Sequence, residues 1–539
     1  MFIFQFVHTQ VKLSYILIIT FLMLFGLNQQ AIANFTSSAF SVEGGIITES
    51  SPTIADINKD GIDEILIGTL TKSPDGFSHG GQVIVMRHDG SILWKAQLDA
   101  PVNSAPAVGD LDNDGDMEII VSVGGDAGDL LHQGGVIAFD HNGNRLWTFR
   151  TLDDYPEDGY SNGVYSSPTL CDTDGNGTKE IIFGAWDRNI YLLDHNGVSL
   201  WNNIPGIGQV HQGFHNGDTI WSTAACTDLD SNGSKEIIIG ADITGGGILP
   251  DGTVTQDGGF LYVFDKNGTI LVRRYVPEAI FSSPAVADIN NDGIGEIVVG
   301  TSWFFWQQNG GNPVPKVYAF STANVFGPLA YNDAAKLPDL PGWPKQTAYP
   351  GFSSPALADL DNDGDLEIVI GSGNPFSQQG QVLAWHHDGS TVAGWPVTPH
   401  NATNTNAHIT SSPTIADIDG DGTLEILFSM LWDIQVYNAD GSLHEILPTT
   451  YTTAASPAIG DTNGDGITDI WIGGGNNNDK SSGYMWHFSG TSEVLGKTPW
   501  PMFHKDAVHS GTFPFYRPSP PGPSNPQGAL PASNFLLLR

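Results

Sequence analysis

Eight copies of one short acidic loop limit what this chain can fold into. The loop reads Asp-x-Asp/Asn-x-Asp/Asn-Gly-x-x-Glu/Asp and begins at Asp56, Asp110, Asp172, Asp228, Asp288, Asp359, Asp417 and Asp461. Successive first aspartates lie 54, 62, 56, 60, 71, 58 and 44 residues apart. A recurring unit buries its face on its neighbours, so 539 residues can form one large domain. Ser-Ser-Pro or a variant precedes the loop, as in Ser51-Pro52, Ser167-Pro168, Ser283-Pro284 and Ser412-Pro413, and Thr223-Ala224 breaks the pattern in the fourth repeat. An apolar run such as Glu64-Ile65-Leu66-Ile67-Gly68 follows, and its continuity marks a strand covered on both faces. The loop therefore joins two strands.

A second hairpin completes each repeat. Val136 to Trp147 holds Asn142-Gly143 between apolar runs, with relatives at Val83 to Trp94, Ile190 to Trp201 and Leu261 to Val272. Asn and Gly tolerate the positive φ that a two-residue turn demands. Two hairpins give four strands, and no helical period intervenes. The expected fold is all-β, a β-propeller of four-stranded blades over 34–516, with eight blades favoured. Seven is the alternative, if the short last repeat is only the closing half of another blade. A Phe- and Ser-rich lead after Asn34 reads as a strand completing the last repeat.

The two ends read differently. Lys12, the apolar run Leu13 to Leu27 and the small-residue site Ala31-Ile32-Ala33 form an expected signal peptide, residues 1–33, cleaved after Ala33. The run is shorter than the roughly 20 residues a bilayer span needs, and no later segment is long and apolar enough. A secreted, periplasmic or cell-surface monomer is expected. Residues 517–539, with Pro518, Pro520, Pro521, Pro523 and Pro526, read as a disordered tail.

The loop's chemistry points to a hard cation. Acids at positions 1, 3 and 5 converge when Gly at position 6 turns the chain, and an acid at position 9 closes the ring. Oxygen-only ligands suit calcium better than zinc or copper. The expected ligand sets are Asp56, Asn58, Asp60 and Glu64; Asp110, Asp112, Asp114 and Glu118; Asp172, Asp174, Asn176 and Glu180; and Asp228, Asp230, Asn232 and Glu236. Then come Asp288, Asn290, Asp292 and Glu296; Asp359, Asp361, Asp363 and Glu367; Asp417, Asp419, Asp421 and Glu425; and Asp461, Asn463, Asp465 and Asp469, for up to eight calcium ions. Two carboxylates about 4 Å apart repel by about 4 kcal/mol at an effective dielectric of about 20, which a cation would relieve. Asx turns needing no metal are the alternative. The formal charge is −38, and 27 of the 59 acidic residues occupy these four positions. Even at roughly −23 with the loops filled and the leader removed, the chain is too acidic for nucleic acid or anionic lipid, whose binding rests on Lys and Arg.

These loops and strands resemble the FG-GAP/VCBS repeat family, typified by the calcium-binding propeller repeats of integrin α-subunits. The resemblance spans nearly all of the chain after Ala33. It implies calcium at the loop positions named above, beginning with Asp56, Asn58, Asp60 and Glu64. Phe-Gly is replaced by Tyr165-Ser166, Trp221-Ser222, Phe281-Ser282 and Phe352-Ser353, and Gly-Ala-Pro survives only as Gly184-Ala185 and Gly240-Ala241. Those departures, with Gly342-Trp343-Pro344, Gly394-Trp395-Pro396 and the terminal Trp500-Pro501-Met502-Phe503, favour the bacterial secreted branch.

Function is expected in the variable loops on one face. Trp303, Phe304, Phe305 and Trp306, with Trp186 and Trp432 in equivalent places, are candidate sugar contacts, because aromatic faces suit apolar C–H patches. Packing between blades is the alternative. Trp94, Trp147 and Trp201 read as core. His211, His215, His386, His387, His504 and His509 lack a nucleophile motif or zinc spacing and read as surface or loop residues. Asp153, Asp154, Glu157 and Asp158 leave a paired-carboxylate glycosidase open. Cys171 and Cys226 read as two buried small hydrophobes, since neighbouring strand positions point to opposite faces, with a bridge between repeats as the alternative. No catalytic residue is assigned. The expected function is an exported, non-catalytic module for glycan or protein ligands. A polysaccharide-active enzyme, lyase or hydrolase, is the runner-up. A quinoprotein-like dehydrogenase, drawn from Phe139-Asp140-x-x-Gly143-x-x-Leu146-Trp147, is third.

Overall fold

After a first strand, β1 (Phe35–Glu43), each repeat folds into one antiparallel sheet laid out from the centre of the molecule outwards. In blade 1 the order is β2 (Thr53–Ala55), β3 (Glu64–Gly68), β4 (Gly81–Met86) and β5 (Ile92–Leu98). Blade 2 runs from β6 (Ala107–Gly109) to β9 (Arg145–Arg150), blade 3 from β10 (Thr169–Cys171) to β13 (Phe214–His215), and blade 4 from β14 (Ala225–Thr227) to β17 (Ile270–Val276). Blade 5 spans β18 (Ala285–Ala287) to β21 (Lys345–Gln346), blade 6 β22 (Ala356–Ala358) to β24 (Gly380–Trp385), and blade 7 β25 (Thr414–Ala416) to β28 (Leu443–Pro448). Blade 8 orders β1 outside β31 (Ser482–Val494), β30 (Ile467–Gly475) and β29 (Ala458–Gly460), so the first strand does complete the last repeat. One short helix, α1 (Phe304–Gln308), interrupts blade 5. The computed structural model describes residues 34–514 except 44, 72–79, 125–132, 152–161, 202–212, 250, 251, 253, 303, 309–313, 327–331, 350, 374–379, 401–408, 410, 431, 450–454 and 476–481, and only the backbone of Trp306, Gln307 and Ser482. The expected leader and tail, His211, Trp303 and the acids from Asp153 to Asp158 lie outside the described residues.

The innermost strands touch in a closed ring, β2 to β6, β10, β14, β18, β22, β25, β29 and back to β2. The ring has eight blades, and the seven-bladed alternative falls. Second strands such as β3 are buried along their whole length, whereas the outer β5 alternates between exposed and half-buried residues. The reason is stacking: the front of each sheet packs on the back of the next, so the core is a ring of slabs between blades. Ile182 of blade 3, for example, shares one buried cluster with Ile237 and Ile239 of blade 4.

That stacking corrects the reading of the cysteines. Cys171 and Cys226 form a disulfide between β10 and β14, with Cα atoms 6.5 Å apart. They stand one and two positions before their loop aspartates and so point to opposite faces of their own sheets. Opposite faces of neighbouring blades are the ones that meet.

The Ser-Ser-Pro element stitches the ring. The second hydroxyl accepts a backbone N–H from the preceding blade: Ala105 N to Ser167 Oγ 3.0 Å, Ser167 N to Thr223 Oγ1 3.0 Å, Thr223 N to Ser283 Oγ 3.0 Å and Ser283 N to Ser354 Oγ 2.8 Å. The series continues through Ser354 N to Ser412 Oγ 2.9 Å and Ser412 N to Ser456 Oγ 2.9 Å, and closes with Ser456 N to Ser51 Oγ 3.0 Å. Between blades 1 and 2, where Ala105 has no hydroxyl, Ser50 Oγ donates to Ser104 O instead, at 2.8 Å. Farther out, indole N–H groups reach the turn of the next blade, as in Trp94 Nε1 to His141 O and Trp147 Nε1 to His195 O, both 2.9 Å. A Cβ on Gly143 would lie 2.6 Å from the Trp94 ring, so the Asn-Gly turn serves the packing as well as the reversal.

Residues 496–513 circle the central channel. The channel edge of each innermost strand offers an N–H two positions before the loop aspartate, and carbonyls of this belt accept six of them in blade order. Trp500 O takes Ile415 N at 2.7 Å, Pro501 O Ile459 N at 2.9 Å, Ala507 O Val108 N at 2.8 Å and Val508 O Leu170 N at 3.0 Å. Ser510 O then takes Cys226 N at 3.3 Å and Gly511 O Val286 N at 2.9 Å. His504 and His509 are buried here, against the expectation of surface or loop positions, because they clamp the belt. His504 Nε2 lies 2.9 Å from Pro284 O, His504 Nδ1 2.8 Å from His509 O, and His509 Nδ1 2.8 Å from Pro168 O. Burial pushes both imidazoles below their usual range, His509 to about 4, although the carbonyl contacts and Asp506 oppose it.

The belt therefore makes stability acid-sensitive. Between pH 6.5 and pH 4 the unfolded chain protonates His509 while the folded one does not, so stability falls as pH drops through that window, by about 3 kcal/mol at its acid end. Thermal melts from pH 7 to pH 4 should show a shallower decline in His509→Gln than in the parent. An unchanged decline would contradict a buried neutral His509.

Candidate functional site

Two arrangements sit at opposite ends of the strands. At the end where the first strand of each blade turns into the second, all eight loops share one architecture. The position-9 acid is buried and accepts the amide N–H of position 2 in every blade, from Leu360 N to Glu367 Oε2 at 2.7 Å to Ile57 N to Glu64 Oε2 at 3.2 Å. The position-1 aspartate accepts the N–H of the position-6 glycine in every blade, as in Gly61 N to Asp56 Oδ2 at 2.8 Å. These glycines have positive φ, 87° at Gly61 and 98° at Gly364, which L side chains rarely adopt. The loops are thus Asx turns, and their acids also converge.

The residues fit a hard cation. Oxygens of Asp110, Asp112 and Glu118, of Asp172, Asp174 and Glu180, of Asp228, Asp230 and Glu236, and of Asp359, Asp361 and Asp363 come within 4.8 Å of one another. Glu296 Oε1, Asp110 Oδ1 and Asp359 Oδ1 are buried with no hydrogen-bond partner among the described residues. Burial, then the neighbouring aspartates, pushes Glu64 and Glu118 up to about 7 and Glu236, Glu296 and Glu425 to about 8. Such acids lack the positive charge that would keep them ionised. Blades 6 and 8 differ, because His386 Nδ1 lies 3.0 Å from Glu367 Oε1 and His487 Nε2 lies 2.8 Å from Asp469 Oδ1. Burial raises Asp469, but hydrogen bonds from His487 and Thr462 outweigh it and hold the carboxyl below its usual value.

At the other end, a cavity of about 640 Å³ opens at the channel mouth. The aromatic residue before the Ser-Ser or Ser-Thr pair in blades 4 to 6, Trp221, Phe281 and Phe352, builds one wall, and its blade 3 counterpart Tyr165 packs behind it. Tyr165 stacks on Trp186 at 4.5 Å, Trp186 meets Trp221 at 4.7 Å, Trp221 meets Phe281 at 5.0 Å, and Phe281 stacks on Phe352 at 5.6 Å. Phe304 of α1 extends the wall. Arg188, Asp218, Thr219, Asp242 and Thr244 supply the polar lining. Trp221 Nε1 donates to Thr219 Oγ1 at 3.2 Å, and that hydroxyl lies 2.9 and 3.0 Å from the two Asp242 oxygens. The Thr244 hydroxyl donates to Asp218 Oδ2. Burial, reinforced by the Asp218 charge, raises Asp242 well above the carboxylate range. Trp186 is 6% exposed, and its indole N–H has no partner among the described residues.

Of the residues singled out by sequence, Trp186 and Phe304 line this cavity. Phe305 does not: it is buried beneath, with Ala279 and Phe281, and its N–H donates to Glu278 Oε1 at 2.9 Å. Trp432, 55% exposed, stands in blade 7 outside the cavity. Trp303 lies outside the described residues, and the Trp306 side chain is not described. Asp218, Asp242 and Thr219 were not singled out individually, although Asp242 opens a variable loop. The available signal was the aromatic placed before Ser-Ser or Ser-Thr in four consecutive repeats.

A match to a propeller-domain family model agrees with this architecture. Residues 76–206 match the lambda-carrageenase beta-propeller domain, and residues 359–428 match the FG-GAP-like repeat. A lambda-carrageenase of Pseudoalteromonas sp is 22% identical over 258 residues, 43% of this chain and 24% of that protein. Integrin alpha-7 of Homo sapiens is 29% identical over 197 residues, 33% of this chain and 16% of that protein. The chain thus covers less than a quarter of either relative. Among solved structures, the Dos1 propeller aligns with a TM-score of 0.47 at 10% identity, covering 85% of this chain and 98% of that one. The V. cholerae biofilm matrix protein Bap1 aligns at 0.41 and 15% identity, covering 89% and 96%. The protein is an eight-bladed propeller in which residues 359–428 match the FG-GAP-like repeat.

If cations hold the loops, chelation should destabilise the whole ring, since a ligand bound only by the folded state stabilises it by mass action. The melting temperature in excess EDTA is expected to fall by at least about 10 °C and to recover with added calcium. No shift would mean that the loops hold as Asx turns alone.

Proposed function

We propose that this protein is an exported, calcium-stabilised propeller that binds carbohydrate in the aromatic cavity at the channel mouth. The cavity carries the reading. Its wall of Trp186, Trp221, Phe281 and Phe352 offers aromatic surface to the C–H patches of sugar rings, and Thr219, Thr244, Asp218 and Arg188 lie where hydroxyls could pair. A concave site of this volume suits a few sugar units better than a flat protein partner. Similarity to a lambda-carrageenase, by name an enzyme of polysaccharide, supports the ligand class. The FG-GAP-like match and the converging loop acids support calcium. Export is supported by the leader-like start of the chain and by the Cys171–Cys226 disulfide, a bond typical of oxidising compartments.

A second reading, a polysaccharide-active enzyme on the same cavity, is favoured by one observation: Asp242 and Asp218 face the same aromatic space.

Binding is testable with a glycan array followed by calorimetry. Trp221→Ala and Phe281→Ala should each weaken the best saccharide at least about tenfold, with melting temperatures in calcium monitored alongside. Failure of the parent protein to bind any saccharide, or unchanged affinity in both variants, would overturn the proposal.

A further inference from the structure

We infer that the cavity is a glycosidase site for uncharged polysaccharide, with Asp242 as proton donor and Asp218 as proton acceptor. The inference rests on the carbohydrate reading above and adds chemistry to it. Glycoside hydrolysis needs two carboxyl groups in different environments beside a bound sugar, one kept protonated and one charged. Both groups line one aromatic space, and their surroundings differ. Asp242 is 4% exposed and meets the Thr219 hydroxyl, itself held by the Trp221 indole. Asp218 is half-buried at the rim, where Thr244 donates to it. Burial and the Asp218 charge favour the protonated form of Asp242, as an acid that must release its proton only to a leaving group requires.

The step balances within the protein, sugar and one water. Asp242 gives its proton to the glycosidic oxygen, and the bond from that oxygen to the anomeric carbon breaks with its electron pair staying on oxygen. Water adds to the anomeric carbon and passes a proton to Asp218. The products are a new reducing end and a free hydroxyl, and proton exchange with solvent restores the pair.

Trp186, more than nine-tenths buried, contributes ring surface to the cavity wall, and its indole N–H has no hydrogen-bond partner among the described residues. Substrate class follows from charge. Arg188 is the one Lys or Arg in the described lining and is offset by the Asp218 charge, so with Asp242 protonated the cavity has no net positive charge to hold a sulfated or uronic chain.

The full-length protein, in calcium, should be offered soluble β-glucan, galactan, xylan, mannan and lambda-carrageenan, with binding and release of reducing ends measured separately. At least one neutral polymer should be bound and cut. Asp242→Asn and Asp218→Asn should each slow cutting at least about 100-fold while affinity stays within about threefold, and Trp221→Ala should lose binding. Binding without cutting by the parent protein would overturn this inference and leave the carbohydrate reading standing. Cutting at the parent rate by Asp242→Asn, or cutting of lambda-carrageenan alone, would also overturn it. No binding to any of the five would remove both.

Discussion

A ring of short sheets has a weak place at its centre. Each innermost strand is three residues long and bonds to one neighbour only, so its other edge would expose N–H groups to the channel. Everything else in the propeller depends on satisfying that edge. The chain does so twice. Hydroxyls at the Ser-Ser-Pro element accept amides from blade to blade, and the belt at 496–513 supplies carbonyls to six strands in turn. Both devices act between repeats, so neither could hold a single blade. The hydroxyl series closes only when all eight blades are in the circle.

The acidic loops work at the opposite end of the same strands. A buried carboxyl that accepts the position-2 amide ties the start of the loop to the start of the second strand, which gives the hairpin its shape before any cation is considered. The same carboxyl is unfavourable to ionise where it sits, and the aspartates beside it make it more so. Turn geometry and cation geometry are therefore two uses of one set of oxygens.

Much of this could be read along the chain, for a physical reason: the loop, the strand after it and the Asn-Gly hairpin are local, and local patterns repeat visibly. Relations across blades are not written that way. The role of Ser167 as acceptor for Ala105, and the bond from Cys171 to Cys226, depend on which faces of two sheets meet. Alternation within a single strand argued against the disulfide, because stacking brings opposite faces together. The belt has no period at all, since each of its carbonyls serves a different blade, and His504 and His509 passed for surface residues in consequence. In the cavity, Trp186 and Phe304 were visible as conspicuous aromatics, whereas Asp218 was hidden among many other acids and Asp242 stood out only as the start of a variable loop. Only their position between aromatic walls distinguishes them.

The placement of β1 sets the order in which such a molecule can be made. Phe35 pairs with Gly490 and Glu43 with Ser482, so the strand synthesised first meets its partner last. Seven blades use contiguous stretches of chain and can assemble as they emerge, while the eighth must wait for both ends. Contacts of such long sequence separation form slowly. The unclosed intermediate would hold a row of stacked sheets with one bare face at each end. Completion of the eighth blade turns that open stack into a circle without ends.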